Sequence, residues 1–239
     1  MTASAWLTIP SARPVAEVAE LVEKWSSLGY GVALWRDEPE PLAGLADIVL
    51  SGQYPGYAQA VNALIREVAR HPEAEWFIAG GDDTLPDPDH AAEEIAAQCC
   101  EHFAGAFGVM QPTGDRFAQG QIDRIAGSAW IGREFARRAY GGNGPLWDEY
   151  THMFVDEELK CVAGKYGVYW MRPDLVQLHM HWQRESAAID ANAIGKPESA
   201  RPAHMHPSNN DGYTGAHWMK YKGIFMQRKA AQFPGSELL

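Results

Sequence analysis

Short apolar runs alternate with stretches of helical periodicity along the first half of the chain. AWLTI (5–9) is a continuous apolar run and reads as a strand. Pro14 suits a first helical turn, and Val15, Val18, Val22 and Trp25 then recur at helical spacing up to Gly29. YGVALW (30–35) predicts a second strand ending at Arg36-Asp37, and ADIVL (46–50) a third. Beyond Gly52 and Pro55-Gly56, a helix carries Val61, Leu64, Ile65 and Val68 on one face and stops near His71-Pro72. EWFIA (75–79) is the fourth strand, and its unbroken apolar character fits burial on both faces. Strands separated by helices in this way predict an α/β fold with a doubly wound, mainly parallel sheet.

The second half follows a looser pattern. Residues 88–103 read as a helix with Asp87 and Asp89 as its caps, and GAFGVMQP (105–112) as a strand. GSAWIGREFARRAYGG (127–142) predicts a short strand leading into a helix that ends at Gly141-Gly142. VDEELKCVAGKYG (155–167) is amphipathic, with Leu159 and Val162 inward and a glycine to close it. VYWMRPDLVQLHMHW (168–182) is aromatic and β-rich. From Gln183 to Gly215 the composition turns to Ser, Ala, Asn, Pro and His, which predicts an irregular stretch. A basic helix over 216–233 ends the chain. The expected organisation is a main domain over 1–182, with 183–239 packed on it as an acceptor-side or lid segment.

Composition narrows the function classes. A net charge of -11 over 239 residues argues against a broad nucleic-acid or anionic-membrane surface, although a local basic patch is compatible with it. Three cysteines, two of them adjacent, make neither a disulfide framework nor a zinc spacing, so a reducing compartment is expected. The first residues do not have the form of a signal peptide. No apolar run approaches the roughly 18 residues that a membrane span needs. A cytoplasmic location with no membrane span is the expectation.

Ligands of open α/β sheets bind outside the carboxyl ends of the strands. The polar residues at those ends are Ser11 and Arg13, Arg36 and Asp37, Ser51 and Gln53, then Asp82 and Asp83. Paired acids beside a dry core are costly without a positive partner. Hard carboxylate oxygens suit Mg²⁺ or Mn²⁺, which share their shell with water and substrate phosphates. A solvated turn is the plainer reading of an isolated pair. His179 and His181, two apart, would face the same way on a strand. They fit either metal ligands or polar positions of a half-exposed strand.

The sequence strand, Asp-Asp, two residues, Pro resembles the metal-binding motif of glycosyltransferases with the GT-A fold, in particular family 2-like enzymes. Other segments agree in order: IPSARP after the first strand, Asp37 after the second, GYAQAVNALI (56–65) after the third, then GSAWIGREF, FVDEEL (154–159) and LHMHW. FVDEEL departs from the family signature, with Val155 in place of its usual first acid. The resemblance spans residues 5 to 182 and implies a Rossmann-like GT-A sheet. It implies a nucleoside diphosphate-sugar donor, with a UDP-sugar expected, and a Mn²⁺ or Mg²⁺ ion held by Asp83 and His181. Pro10, Ser11, Arg13, Asp37 and Asp82 would contact the donor, and Asp156 would be the general base of an inverting transfer. A glycan, lipid-linked sugar, protein or modified nucleic-acid base would each supply an acceptor hydroxyl. The alternatives are a nucleotidyltransferase, disfavoured because IPSARP lacks a glycine, a metal-dependent hydrolase, and a non-catalytic sugar-nucleotide-binding module.

Overall fold

In the computed structural model, residues 4–37, 44–115, 126–180 and 215–237 are described. The predicted strands of the first half form as β1 (Ala5–Pro10), β2 (Gly31–Arg36), β3 (Ile48–Ser51) and β4 (Trp76–Ala79). Between them run α1 (Val15–Ser26) and α2 (Tyr57–Val68). The second half adds α3 (Ala92–Phe103), β5 (Val109–Pro112), β6 (Ala129–Gly132), α4 (Arg133–Arg138) with a 3₁₀ turn over Ala139–Gly142, α5 (Val155–Lys165), β7 (Tyr169–Arg172) and α6 (Ala216–Ala230).

The strands make one seven-stranded sheet in the order β3-β2-β1-β4-β6-β5-β7. Only β6 runs against its neighbours, β4 and β5, and the remaining pairs are parallel. Alternation along each strand divides the core in two. Leu7, Ile9, Val32, Leu34, Trp76 and Ile78 face α1 and α3 in one cluster. Trp6, Ala33, Phe77 and Ile131 face α2, α4, α5 and α6 in the other. Both faces of the sheet are therefore covered, which is why its central strands read as continuous apolar runs. The α/β class and the mainly parallel sheet expected from the pattern are those of the structure.

Three local expectations need correcting. Val15 lies at the start of α1 and is 38% exposed, while Leu21 takes an inward place beside Val18, Val22 and Trp25. The aromatic segment from 168 yields a strand of only four residues, because Pro173 cannot donate to a ladder beyond Arg172. The acids before α3 do not cap it: its N-cap is Ala91, with no side-chain bond. Asp87 is instead buried and accepts the backbone N–H of Val176 at 2.6 Å, the N–H of Asp89, and a bond to the His90 ring at 2.7 Å. It fastens the turn after β4 to the chain beyond β7.

A second acid is buried on the opposite side of the sheet. Glu158, in the first turn of α5, is fully buried. It accepts the hydroxyls of Tyr140 at 2.7 Å and Tyr150 at 2.8 Å, and a two-pronged bond from Arg228 of α6. The Arg228 guanidinium also lies 3.6 Å from the Trp147 ring centroid. With Tyr221 and Phe225 in the same core, this clamp seats α6 on the sheet's helical layer.

Candidate functional site

The residues beyond the carboxyl ends of β1 and β4 meet as the topology requires. Ser11 Oγ donates to Asp82 Oδ2 at 2.7 Å, and Arg13 Nε lies 3.1 Å from Asp82 Oδ1. Arg13 also reaches Glu17, at 3.2 Å. Buried Arg36 fixes this turn by donating to the carbonyl oxygens of Ser11 and Arg13, at 2.9 and 2.7 Å. Burial lowers the Arg13 pKa, but the charge and hydrogen bond of Asp82, with Asp83 beyond it, raise it above its ordinary value. Asp82 thus has both carboxylate oxygens engaged, and Pro10, the last residue of β1, lies level with Trp35.

Asp83 points elsewhere. Its Oδ1 lies 3.3 Å from His179 Nε2, and its backbone carbonyl accepts the N–H of Met180. A bridge between Thr84 and His179 and the bond from Leu85 N–H to the Leu178 carbonyl hold the two segments side by side. The His179 backbone N–H donates to Asp115 Oδ2 at 2.9 Å. A Cβ on Gly81 would lie 2.5 Å from Asp83 Oδ1, so the absence of a side chain there is what lets Asp83 take this position.

Two tyrosines connect these acids to the remaining candidates. Tyr54 and Tyr57 flank Pro55-Gly56 between β3 and α2. Gly56 has φ 110 and is the N-cap of α2, a conformation that suits glycine. The Tyr57 hydroxyl donates to the Gly80 carbonyl at 3.1 Å. Burial raises the Tyr57 pKa, and the charge of Asp156, the Tyr54 phenol and the charge of Asp83 add to it. Burial, then Asp37 and then Asp82 raise that of Tyr54. Both phenols therefore stay neutral, with the charges of Asp37 and Asp156 adding to the effect of burial. Exposed Asp37 follows β2, and half-buried Asp156 lies in the first turn of α5 after Phe154, whose φ is 69.

Of the residues expected from the sequence, Ser11, Arg13 and Asp82 form one bonded group, and Asp83 pairs with His179. Asp37 follows β2 and Asp156 opens α5, and no side-chain bond among the described residues ties either to that pair. His181 lies outside the described residues, as do His204 and His206. The tyrosines went unrecognised; the signal is their placement on either side of Pro-Gly at the end of the third strand.

Among the described residues, no three His, Cys, Asp or Glu side chains come together as a full metal-ligand cluster. Asp83 and His179 supply one oxygen and one nitrogen donor. That set fits a divalent ion which completes its shell with water and ligand oxygens. Asp82 fits less well, because Ser11 and Arg13 occupy its oxygens.

No family model matches the chain, and no curated protein matches its sequence. Among solved structures, it is similar to a protein of Desulfovibrio desulfuricans provisionally described as a nucleotide-diphospho-sugar transferase. The two share 8% sequence identity over 96% of each chain, with a TM-score of 0.38. Likeness at that distance bears on neither mechanism nor substrate. Among the described residues, no helix is long and apolar enough to cross a membrane.

Proposed function

We propose that the protein is a metal-dependent glycosyltransferase that moves a sugar from a nucleoside diphosphate-sugar to an acceptor hydroxyl. The observation that carries this reading is the pairing of Asp83 with His179, an oxygen and a nitrogen donor 3.3 Å apart beyond the end of β4. Asp82 stands next to this pair and is engaged by Ser11 and Arg13. A divalent ion bound by one or two protein side chains commonly completes its shell with the phosphates of its substrate.

In this reading Asp83 and His179 would hold Mn²⁺ or Mg²⁺, with His181 as a further candidate ligand. The ion would act as a Lewis acid on the diphosphate leaving group. Arg13 and Ser11 orient Asp82, so that it can accept hydroxyls of the ribose or the sugar. Asp37, with Tyr54 beside it, is placed for the base or ribose of a UDP-sugar, with Pro10 shaping the same edge. Asp156 takes the proton of the acceptor hydroxyl as that oxygen attacks, which makes the transfer inverting. A glycan, lipid-linked sugar, protein or modified nucleic-acid base all supply the required hydroxyl. The GT-A resemblance and a cytoplasmic setting belong to the same proposal, as does the role of 183–239 as the acceptor-side segment.

Thermal unfolding of wild type and Asp83→Ala, scanned against nucleoside diphosphates and nucleotide sugars with and without Mn²⁺, tests the reading. A ligand at about a hundred times its Kd stabilises the native state by about 2.7 kcal/mol. For a domain of this size that raises the midpoint by roughly 5–10 °C. The expected result is a Mn²⁺-dependent rise with one nucleotide family, abolished in Asp83→Ala. A rise with metal alone, and none with any nucleotide, would overturn it.

A further inference from the structure

The outward face of α6 is built unlike the rest of this acidic molecule. Residues 216–233 contain Lys220, Lys222, Arg228 and Lys229 and no Asp or Glu, in a chain of net charge -11. Tyr221 and Phe225 turn inward to the core, and Arg228 turns inward to Glu158. On the opposite side Ala216, Met219, Gly223, Met226 and Ala230 follow one another at steps of three and four residues, which aligns them on one face. All five are exposed, Met219 by 55% and Met226 by 54%. Lys222 and Lys229 border this stripe on one side and Lys220 on the other, all exposed. Their ammonium groups lie over the rings of Trp218, Phe225 and Tyr221, at 4.7, 5.7 and 5.0 Å.

We propose that this face of α6 docks on the surface of an anionic lipid bilayer. An apolar strip flanked by lysines is the arrangement of a helix that lies in the interface plane: the methionines enter the acyl boundary while the ammonium groups meet lipid phosphates and carboxylates. The lysine stems are long enough to keep their charges at headgroup level. Two other occupants fit less well. A second copy of α6 would set lysines against lysines, with no acid on the helix to offset them. A nucleic-acid backbone would need the cations at the centre of the face, where the methionines are. The proposal is independent of what the crevice binds.

Vesicle flotation of the full chain tests it. Retention is expected on vesicles of phosphatidylcholine with phosphatidylserine, weak or absent on phosphatidylcholine alone, and lost at high salt. Replacing Lys220, Lys222 and Lys229 together by Gln should lower the partition about a hundredfold, as each lysine near an anionic surface is worth about fivefold. M219N/M226N should also release the protein while lowering its melting midpoint only by the weaker helix propensity of Asn, since both side chains are exposed. Arg228 stays intact in every variant because it is part of the clamp. Failure to float with phosphatidylserine, equal flotation on neutral vesicles, or a lipid-free dimer in sedimentation velocity that M219N/M226N dissolves would each overturn the proposal.

Discussion

Two carboxylate sites on this sheet are constructed in opposite ways. Glu158 is 1% exposed and its partner Arg228 11%, and every contact to that carboxylate is a hydrogen bond from a group fixed in the fold. Asp82 and Asp83 keep about a fifth of their side-chain surface in solvent, and among the described residues they pair with Arg13 and with a histidine whose charge depends on pH. A buried acid survives only when its partners are complete, because desolvation costs several kcal/mol per ion. An acid at a crevice can remain short of positive charge because water covers the deficit until a ligand arrives. Completeness of satisfaction, more than the presence of charge, separates the acid that holds the fold from the acid available for chemistry.

Arg228→Ala breaks the first site outright. It strands a buried carboxylate, and we expect a loss of about 3–5 kcal/mol in chemical denaturation. The double variant Glu158→Gln/Arg228→Met should recover much of that loss, because it removes both charges and leaves an amide for the Tyr140 and Tyr150 hydroxyls. If the single variant costs no more than a surface substitution, the distinction between the two sites fails.

Asp87 tests the same distinction through pH, with a smaller effect. Burial alone would raise its pKa, but the bond to His90 and the N–H groups of Val176 and Asp89 outweigh burial and hold it below its ordinary 3.8. The bond to Asp87 raises the His90 pKa above 6.5. The Asp87 contribution to stability is therefore present above the ordinary carboxylate value and lost as pH falls through its lowered folded value. That of His90 is complete below 6.5 and lost as pH rises through its raised folded value. Asp87→Ala should cost about 1–3 kcal/mol through the stranded Val176 N–H, and it should flatten the stability profile across that window. A profile that keeps the wild-type curvature would assign the pH dependence to other groups.

Asp83→Asn should have the smallest effect on stability, within about 0.5 kcal/mol, because its surroundings are half wet. The same substitution should nonetheless remove Mn²⁺-dependent nucleotide binding by isothermal titration. A large loss of stability with binding intact would reverse the assignment of Asp83.

The strands and helices of the first half were legible in the sequence because each is a local pattern: apolar runs for buried strands and a 3.6-residue repeat for α1 and α2. The carboxyl-edge placement of Ser11, Arg13 and Asp82 followed from topology alone. The insertion of antiparallel β6 between β4 and β5 was not legible, since pairing across the sheet leaves no local mark. Asp87 resembled a cap because Pro-Asp-Pro-Asp precedes a helix, yet its decisive partner is Val176, across 89 residues. Glu158 resembled an ordinary first-turn acid beside Asp156 and Glu157, and only Arg228, 70 residues on, makes it a clamp. Tyr54 and Tyr57 were overlooked because aromatic side chains around a Pro-Gly turn mark loops as often as sites.

The pairing of Thr84 with His179 also bears on how the protein is made. The first four strands leave the ribosome early and can begin to pack, but the wall beside Asp83 is supplied by residues 178–180, and Arg228 arrives later still. A chain cut short in translation would present the aspartates without their histidine and without the helix that closes the far layer. Long-range closure of this kind slows folding. It also means that an unfinished chain lacks the wall that brings His179 to Asp83.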